Sequence, residues 1–459
     1  MSGAADVPSR QVTLAWREKL GYGVGDFGFN LYWATIGSFL AAFYTDVFGI
    51  SAAAAGTMLF VTKIVDAFTD PLMGAVADRT RSRWGKFRPY LLFAAVPMAG
   101  AAVLTFTTPT LDSTGKLIWA YATYSVMMLA YTVLSTPYSA LSGVMTARSE
   151  ERTTLISVRF LFAFAGSALV GKCTLPLVDA LGAGDATLGW QRTMMLYGAV
   201  AAVIFAVTFL STRERIAPPP AQQASARQDI GDLLDNRPWL ILFALAMIIM
   251  MTITMRGGSA YYYFHYYLER PELLPDYLLW QMLAYACGAL SAPVLTRYVD
   301  KAKLLMGLML LVGVLSIAFY FVPRDMIWLI FTFNILISLA LGPKSPLTWS
   351  MYADTADYNE WRRGRRATAM TFSAATFSQK LGGSLGTASM LWMLAAIGYA
   401  ANTAQDDASR NGIALLQTAI PGLFALVAVV VTASYSLSGT KLAQIQGELE
   451  QRDTQLDHA

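Results

Sequence analysis

Lys63, Asp66 and Asp70 stand inside the apolar stretch 56–74, a run long enough to cross a bilayer. On a helix they fall at i, i+3 and i+7, so all three charges share one face. A charge at bilayer depth costs roughly 3 kcal/mol on insertion scales, so it normally faces a bundle interior or an aqueous cavity. Two carboxylates one turn apart, with a lysine beside them, predict a buried cation or proton site. In low dielectric a carboxylate either holds a positive ion or takes up a proton. The competing reading is a salt-bridged trio that holds helices together. Thr62 and Thr69 offer hydroxyl ligands on the same helix.

Four further charges fall in apolar segments. Arg159 could donate a bidentate pair of hydrogen bonds to vicinal hydroxyls or a carboxylate. Its structural alternative is to neutralise Asp66 or Asp70. Lys380 is expected to approach the same carboxylates from the other half of the chain. Arg256 and Lys344 lie nearer the expected helix ends, where snorkelling to the interface is the simpler expectation. Aromatics such as Tyr32, Trp33, Tyr131, Tyr138, Tyr261, Tyr262, Tyr263 and Trp349 are mostly core or interface belt. Tyr131 and Tyr138 gain weight because they flank Thr132, Ser135 and Pro137 in a polar break, a feature that lines substrate paths in transporter helices. No Gly-x-x-x-x-Gly-Lys-Ser/Thr run is present, which argues against ATP-driven transport. His265 and His458 are the only histidines, and nothing points to an enzyme site or a cofactor.

These residues need a membrane scaffold. Of 459 residues 55% are apolar and 14% charged, well below the charge of a soluble domain. Twelve spans are expected at 20–45, 54–78, 89–107, 117–146, 153–178, 191–211, 238–267, 276–297, 303–322, 326–353, 368–399 and 412–436. Lysine and arginine gather in alternate loops, as in 79–88, Arg148, Arg152, 213–237, 297–303 and 362–366, which predicts both termini in the cytoplasm. That distribution accounts for the net charge of +4 without a nucleic-acid partner. Cys173 and Cys287 read as packing residues. The Pro- and Ala-rich stretch 212–237 reads as a flexible connector. The expected organisation is an N-terminal half at 1–211 holding the cation site, that linker, a C-terminal half at 238–437 and a tail at 438–459. The predicted fold is all-α, with 12 transmembrane helices in two six-helix halves, which is the major facilitator architecture. Asp78-Arg79 and Asp300-Lys301 echo each other between the halves. The charged loops suggest a cytoplasmic gate in which Arg79, Arg83 and Lys86 face Asp354, Asp357 and Glu360.

Several motifs also resemble a known family, the glycoside–pentoside–hexuronide:cation symporters that include the melibiose permease. They are Gly21-Tyr-Gly-Val-Gly-Asp26, Tyr44-Thr-Asp46, Lys63-Ile-Val-Asp-Ala-Phe-Thr-Asp-Pro71, Asp78-Arg-Thr-Arg-Ser-Arg-Trp-Gly-Lys-Phe-Arg-Pro89, Arg256-Gly-Gly258, Met351-Tyr-Ala-Asp-Thr-Ala-Asp-Tyr-Asn-Glu-Trp361 and Lys380, in order along nearly the whole chain. The resemblance implies sugar or glycoside uptake coupled to Na⁺, Li⁺ or H⁺ by a multi-pass bacterial inner-membrane protein working as a monomer in the lipid bilayer. The family's cation positions match Asp66, Asp70 and Thr132, with Thr69 where the permease has a sodium-selective asparagine and Lys380 close by. Proton coupling is therefore as compatible as Na⁺ at Asp66 and Asp70. For the sugar, the matching positions are Asn30, Ser135 and Arg159, to which Trp33, Tyr138 and Lys380 are added. Asn30 and Ser135 replace two sugar-binding aspartates, and Ser139 a tryptophan. This loss of carboxylates beside Arg159 suggests an anionic sugar or a pentoside, with a neutral glycoside open. A lysolipid or amphiphile carrier and a non-transporting sugar sensor are the competing readings.

Overall fold

The computed structural model describes residues 13–146, 149–215, 231, 233–364, 368–437 and 439–457. Most of the expected linker (216–230 and 232) lies outside these residues, as do Arg148, Arg227, Arg365 and Arg366. The chain forms two compact units, Met1–Ala221 and Gln222–Ala459. The described elements are helical, and helical rods cover each of the twelve expected spans. Eight helices among the described residues are long and apolar enough to cross a membrane.

The first unit is built from α1 (Trp16–Thr35), α2 (Ala52–Arg79), the short pair α3 (Arg88–Phe93) and α4 (Ala95–Thr105), α5 (Ser113–Met145), α6 (Ser149–Gly182) and α7 (Ala186–Ser211). α1 continues through two π-helical stretches, Ile36–Leu40 and Phe43–Phe48. It packs on α6 and α7, while α2 packs on α5. Loop carboxylates and hydroxyls start these helices by accepting otherwise orphaned amides. Ser51 accepts from Ala54, Asp112 from Gly115, and Asp185 from Thr187 and Leu188. At Gly25 a Cβ would meet the Tyr138 ring at 2.7 Å, so a side chain there would push α5 off α1. The break expected in this span is absent: α5 runs continuously from Ser113 to Met145 through Pro137, whose ring nitrogen leaves the helix one amide donor short beside Ser135.

The second unit contains α8 (Arg237–Tyr262), α9 (Leu274–Leu295), α10 (Lys301–Tyr320), α11 (Ile327–Leu341), α12 (Lys344–Arg363), α13 (Thr368–Ala396), α14 (Asp407–Gln417), α15 (Ala419–Ala433) and α16 (Gly439–Asp457). Like α1, α8 ends in a π-helical stretch, Tyr263–Tyr267, an internal echo that the hydropathy pattern does not carry. The expected span 326–353 is interrupted at Gly342-Pro343, and 412–436 at Thr418. α13 packs on α8, α15 on α10, and the tail helix α16 on α12.

Three sequence expectations are corrected here. Arg256 does not snorkel: it is 1% exposed and donates to Asn334 at 3.1 Å, whose amide in turn donates to the Tyr277 carbonyl at 3.0 Å. An internal polar partner holds it inside, where a helix-end residue would reach for water. Lys344 is likewise buried, with its ammonium 3.5 Å from the Met250 sulfur. Of the two cysteines, Cys173 is half-buried but Cys287 is exposed, so Cys287 is no core-packing residue; both are free thiols.

Candidate functional site

Two polar constellations lie in the first unit, joined by aromatic rings. The first is held between α2 and α5. Helical spacing stacks Asp66 and Asp70 on one face of α2, and Thr132 projects from α5 between them. The Thr132 hydroxyl is 2.9 Å from Asp66 Oδ1 and 2.8 Å from Asp70 Oδ1. Asp66 and Thr132 are buried, and Asp70 is half-buried. A hydroxyl carries one proton, so it can donate to one of these oxygens at a time. Both contacts are favourable together when the site holds one shared proton or one cation: either the second carboxyl is protonated and donates back to the threonine oxygen, or an ion bridges the oxygens. Lys63 stands 4.0 Å from Asp66 Oδ2.

The oxygen set suits a hard cation or a proton. The Thr69 hydroxyl donates to the Asp66 carbonyl at 2.9 Å. Thr62, one turn before Asp66, buries a hydroxyl oxygen that makes no hydrogen bond among the described residues. Thr62, Asp66 and Thr69 share an otherwise largely apolar cleft with Val65, Val126, Met128 and Leu129.

The second constellation joins α1 to α6. Arg159 Nε donates to Asp26 Oδ2 at 2.7 Å, and the guanidinium lies 4.9 Å from the Tyr138 ring centroid. The structural alternative to a sugar ligand had Arg159 neutralising Asp66 or Asp70. Its partner is Asp26, because the α1–α6 packing brings those two helices together and leaves α2 to α5. Asn30, one turn beyond Asp26, donates to the Asp26 carbonyl at 2.8 Å and accepts from Ser167 at 2.9 Å. Tyr138 is fully buried, stacked on Tyr22 at 4.7 Å, and its hydroxyl donates to the Tyr22 carbonyl at 2.7 Å. Its role in this geometry is to fix α1 against α5 and to floor the guanidinium. Ser135 is half-buried, three residues beyond Thr132.

Trp33 and Tyr131 connect the two groups. The Trp33 ring is 38% exposed, lies 5.5 Å from Tyr131, and carries the Lys63 ammonium at 4.4 Å over its centroid. Tyr131 also touches Phe29 at 5.6 Å and lies within electrostatic reach of Asp26, Arg159, Asp66 and Asp70. Lys380 stands half-buried on α13 of the second unit.

One of the proposed gate residues has an ion-pair partner within its own unit. Asp354 is paired with Lys301 of its own unit at 2.8 Å, where an arginine of a facing loop was expected. Asp357 and Glu360 are half-buried on α12. Arg79 and Arg83 are exposed, with Arg83 over the Trp84 ring at 4.3 Å. The backbone amides of Lys86, Phe87 and Arg88 donate to the Glu214 carboxylate at 2.8, 2.8 and 3.0 Å. Gly85 makes this possible: its φ is +108° and a Cβ would strike Glu214 Oε1 at 2.4 Å.

Sequence reasoning missed Asp26 and Glu214. Asp26 was legible as a carboxylate inside the first apolar span, at the end of Gly21-Tyr-Gly-Val-Gly; its partner was not. Glu214 sits among the charges of a loop, where nothing in the pattern singles it out.

A family described as MFS/sugar transport protein matches residues 21–439. The inner membrane symporter YicJ of Escherichia coli (strain K12) is 37% identical, over 95% of this chain and 95% of its own. The putative glycoside/cation symporter YagG of the same organism is also 37% identical, over 95% of each chain. Among solved structures, the xylose transporter XylE from E. coli, in an inward open conformation, superposes with a TM-score of 0.63 at 14% identity, covering 94% of this chain and 98% of that one, a likeness of fold. The chain belongs to the MFS/sugar transport protein family. It is a multi-pass membrane transporter with the major facilitator fold, not an enzyme.

Proposed function

We infer that this protein is a cation-coupled symporter of a sugar or glycoside, working by alternating access. The observation that carries the reading is the Thr132 hydroxyl set between two buried-face carboxylates, 2.9 Å from Asp66 and 2.8 Å from Asp70. A proton or Na⁺ bound there relieves the repulsion between the carboxylates, and Trp33 and Tyr131 carry the change to the sugar-binding side at Asn30, Ser135 and Arg159. Coupling is then a reciprocal binding free energy, typically about 1–3 kcal/mol. The names of the relatives above, an inner membrane symporter and a glycoside/cation symporter, support a bacterial inner-membrane location and this substrate class. The loop charge bias supports cytoplasmic termini, the transporter needs no cofactor beyond its coupling ion, and one chain suffices for function.

No observation favours the amphiphile carrier or the non-transporting sensor. The test is uptake of labelled glycosides into proteoliposomes under an imposed Na⁺ or pH gradient. Wild type accumulates substrate under one gradient, while Asp66→Asn and Asp70→Asn lose accumulation and retain downhill exchange. Accumulation at wild-type level in either variant refutes the site.

A further inference from the structure

We propose that Asp26 sets the charge selectivity of the sugar site, making Arg159 a ligand for the hydroxyls of a neutral glycoside and disfavouring an anionic one. The inference rests on the symport reading only in taking Arg159 as a sugar ligand. From sequence, Arg159 looked like a cation that had lost its neighbouring carboxylates, which favoured an acidic sugar. In the structure that charge is answered: Arg159 Nε lies 2.7 Å from Asp26 Oδ2, with the two side chains only 28% and 12% exposed.

Three features convert the pair into a selectivity device. The first is geometric. A guanidinium offers its donors as a planar fork, and a carboxylate takes two parallel N–H bonds from one edge. With Nε committed to Asp26, the edge that contains Nε is taken. The Tyr22 hydroxyl also lies in hydrogen-bonding range of the guanidinium, and the Nη donors beyond these two partners suit sugar hydroxyls. The guanidinium carbon lies over the Tyr138 ring, 4.9 Å from its centroid, which limits how far the group can swing.

The second is electrostatic. An acidic sugar at the Nη side of Arg159 meets an ion pair of no net charge, so the Asp26 carboxylate, on the far side, offsets part of the guanidinium's attraction. What is left compensates less of the acid's desolvation than an unpaired arginine would. A neutral sugar brings no charge to be desolvated and still gains charge-assisted hydrogen bonds from the guanidinium. The third is that Asp26 is held in place. Asn30 donates to its backbone carbonyl at 2.8 Å and is itself tied to Ser167, so the carboxylate sits on a braced turn of α1. Asn30, where a charge could have stood, contributes none. Discrimination against the acidic analogue therefore comes from a built-in repulsive group, as specificity generally requires.

The experiment measures binding of matched probes to the purified full chain by calorimetry, alongside uptake in proteoliposomes. The probes are 4-nitrophenyl glucosides, xylosides and glucuronides in both anomers. Wild type is expected to bind at least one neutral probe about 10-fold or more tighter than the glucuronide of the same anomer, a difference of about 1.4 kcal/mol. Asp26→Asn should remove most of that preference, and Asp26→Glu should retain it. Glucuronide binding equal to or tighter than every neutral probe in wild type overturns the proposal, as does a panel in which no neutral probe binds. A folded Asp26→Asn protein with an unchanged ratio overturns it too. Should Asp26→Asn fail to fold, the wild-type ratio still decides. Neutral preference in binding without gradient-driven uptake would leave this inference standing and defeat the symport reading; driven uptake without neutral preference would do the reverse.

Discussion

Replacing Thr132 by valine removes one hydroxyl from the centre of the carboxylate pair and little else, because the two side chains have nearly the same shape. With a proton or cation shared at the site, the hydroxyl satisfies both contacts, at 2.9 Å to Asp66 and 2.8 Å to Asp70. With the site empty it can satisfy only one. The loaded state therefore holds one extra hydrogen bond to an ionised group, about 1.5–3 kcal/mol. At 1.36 kcal/mol per decade, Thr132→Val should weaken the apparent affinity for the coupling cation about 10- to 150-fold. The assay is the concentration of Na⁺, or of protons, needed for half-maximal driven uptake, with Thr132→Ser as the control that restores the hydroxyl. An unchanged half-saturation in Thr132→Val, or an equal loss in Thr132→Ser, would refute the shared-hydroxyl account.

Trp33→Leu removes the ring under the Lys63 ammonium, an interaction worth about 0.5–2 kcal/mol. It should raise the sugar KM by two- to thirty-fold, roughly, more than it changes cation half-saturation, whereas Lys63→Met should act chiefly on the cation; identical shifts in both parameters would contradict this division. Glu214→Ala strips the acceptor from three backbone amides and should cost about 2 kcal/mol of stability, at the upper end for a lost cap, with Glu214→Gln recovering part; unchanged thermal unfolding in detergent would count against it. The Thr187 hydroxyl, with the Leu188 and Thr187 amides, holds the Asp185 carboxyl below its ordinary range, and the Ser409 amide and hydroxyl do the same for Asp406. A folded pKa below the unfolded one gives a contribution that is complete above the unfolded value and is lost as pH falls through the folded value. Unfolding temperature should therefore drop in the acid range below the usual carboxylate pKa, and an Asp185→Ala/Asp406→Ala protein should show a shallower drop. An equally steep drop would exclude the two caps as its source.

Much of this was legible in the chain because membrane burial constrains sequence strongly. A span must be apolar along its whole length, so Lys63, Asp66 and Asp70 stood out, and their i, i+3, i+7 spacing placed them on one face without knowledge of any partner helix. Thr132 came from resemblance, since a single threonine in α5 carries no periodic signal. The Arg159–Asp26 pair was not legible. Two charges 133 positions apart become neighbours through α1–α6 packing, and helix-to-helix choice rests on small-residue fit such as Gly23 against Val158 and Gly166 against Phe27, which hydropathy does not encode. Arg256 went wrong for a related reason: its helix-end position suggested water, while Asn334, supplied by another helix, keeps it inside. The Glu214 cap depends on Gly85 adopting a positive φ and on a carboxylate 128 residues from Lys86, a tertiary event with no local signature.

The central claim is that Asp66 and Asp70 couple an ion to sugar movement. The most direct measurement is glycoside accumulation in proteoliposomes under a Na⁺ gradient and, separately, a pH gradient, for wild type and Asp70→Asn. The account predicts accumulation under one gradient that disappears in Asp70→Asn while exchange without a gradient persists. Accumulation that survives in Asp70→Asn, or wild-type protein that moves no glycoside under either gradient, would contradict it.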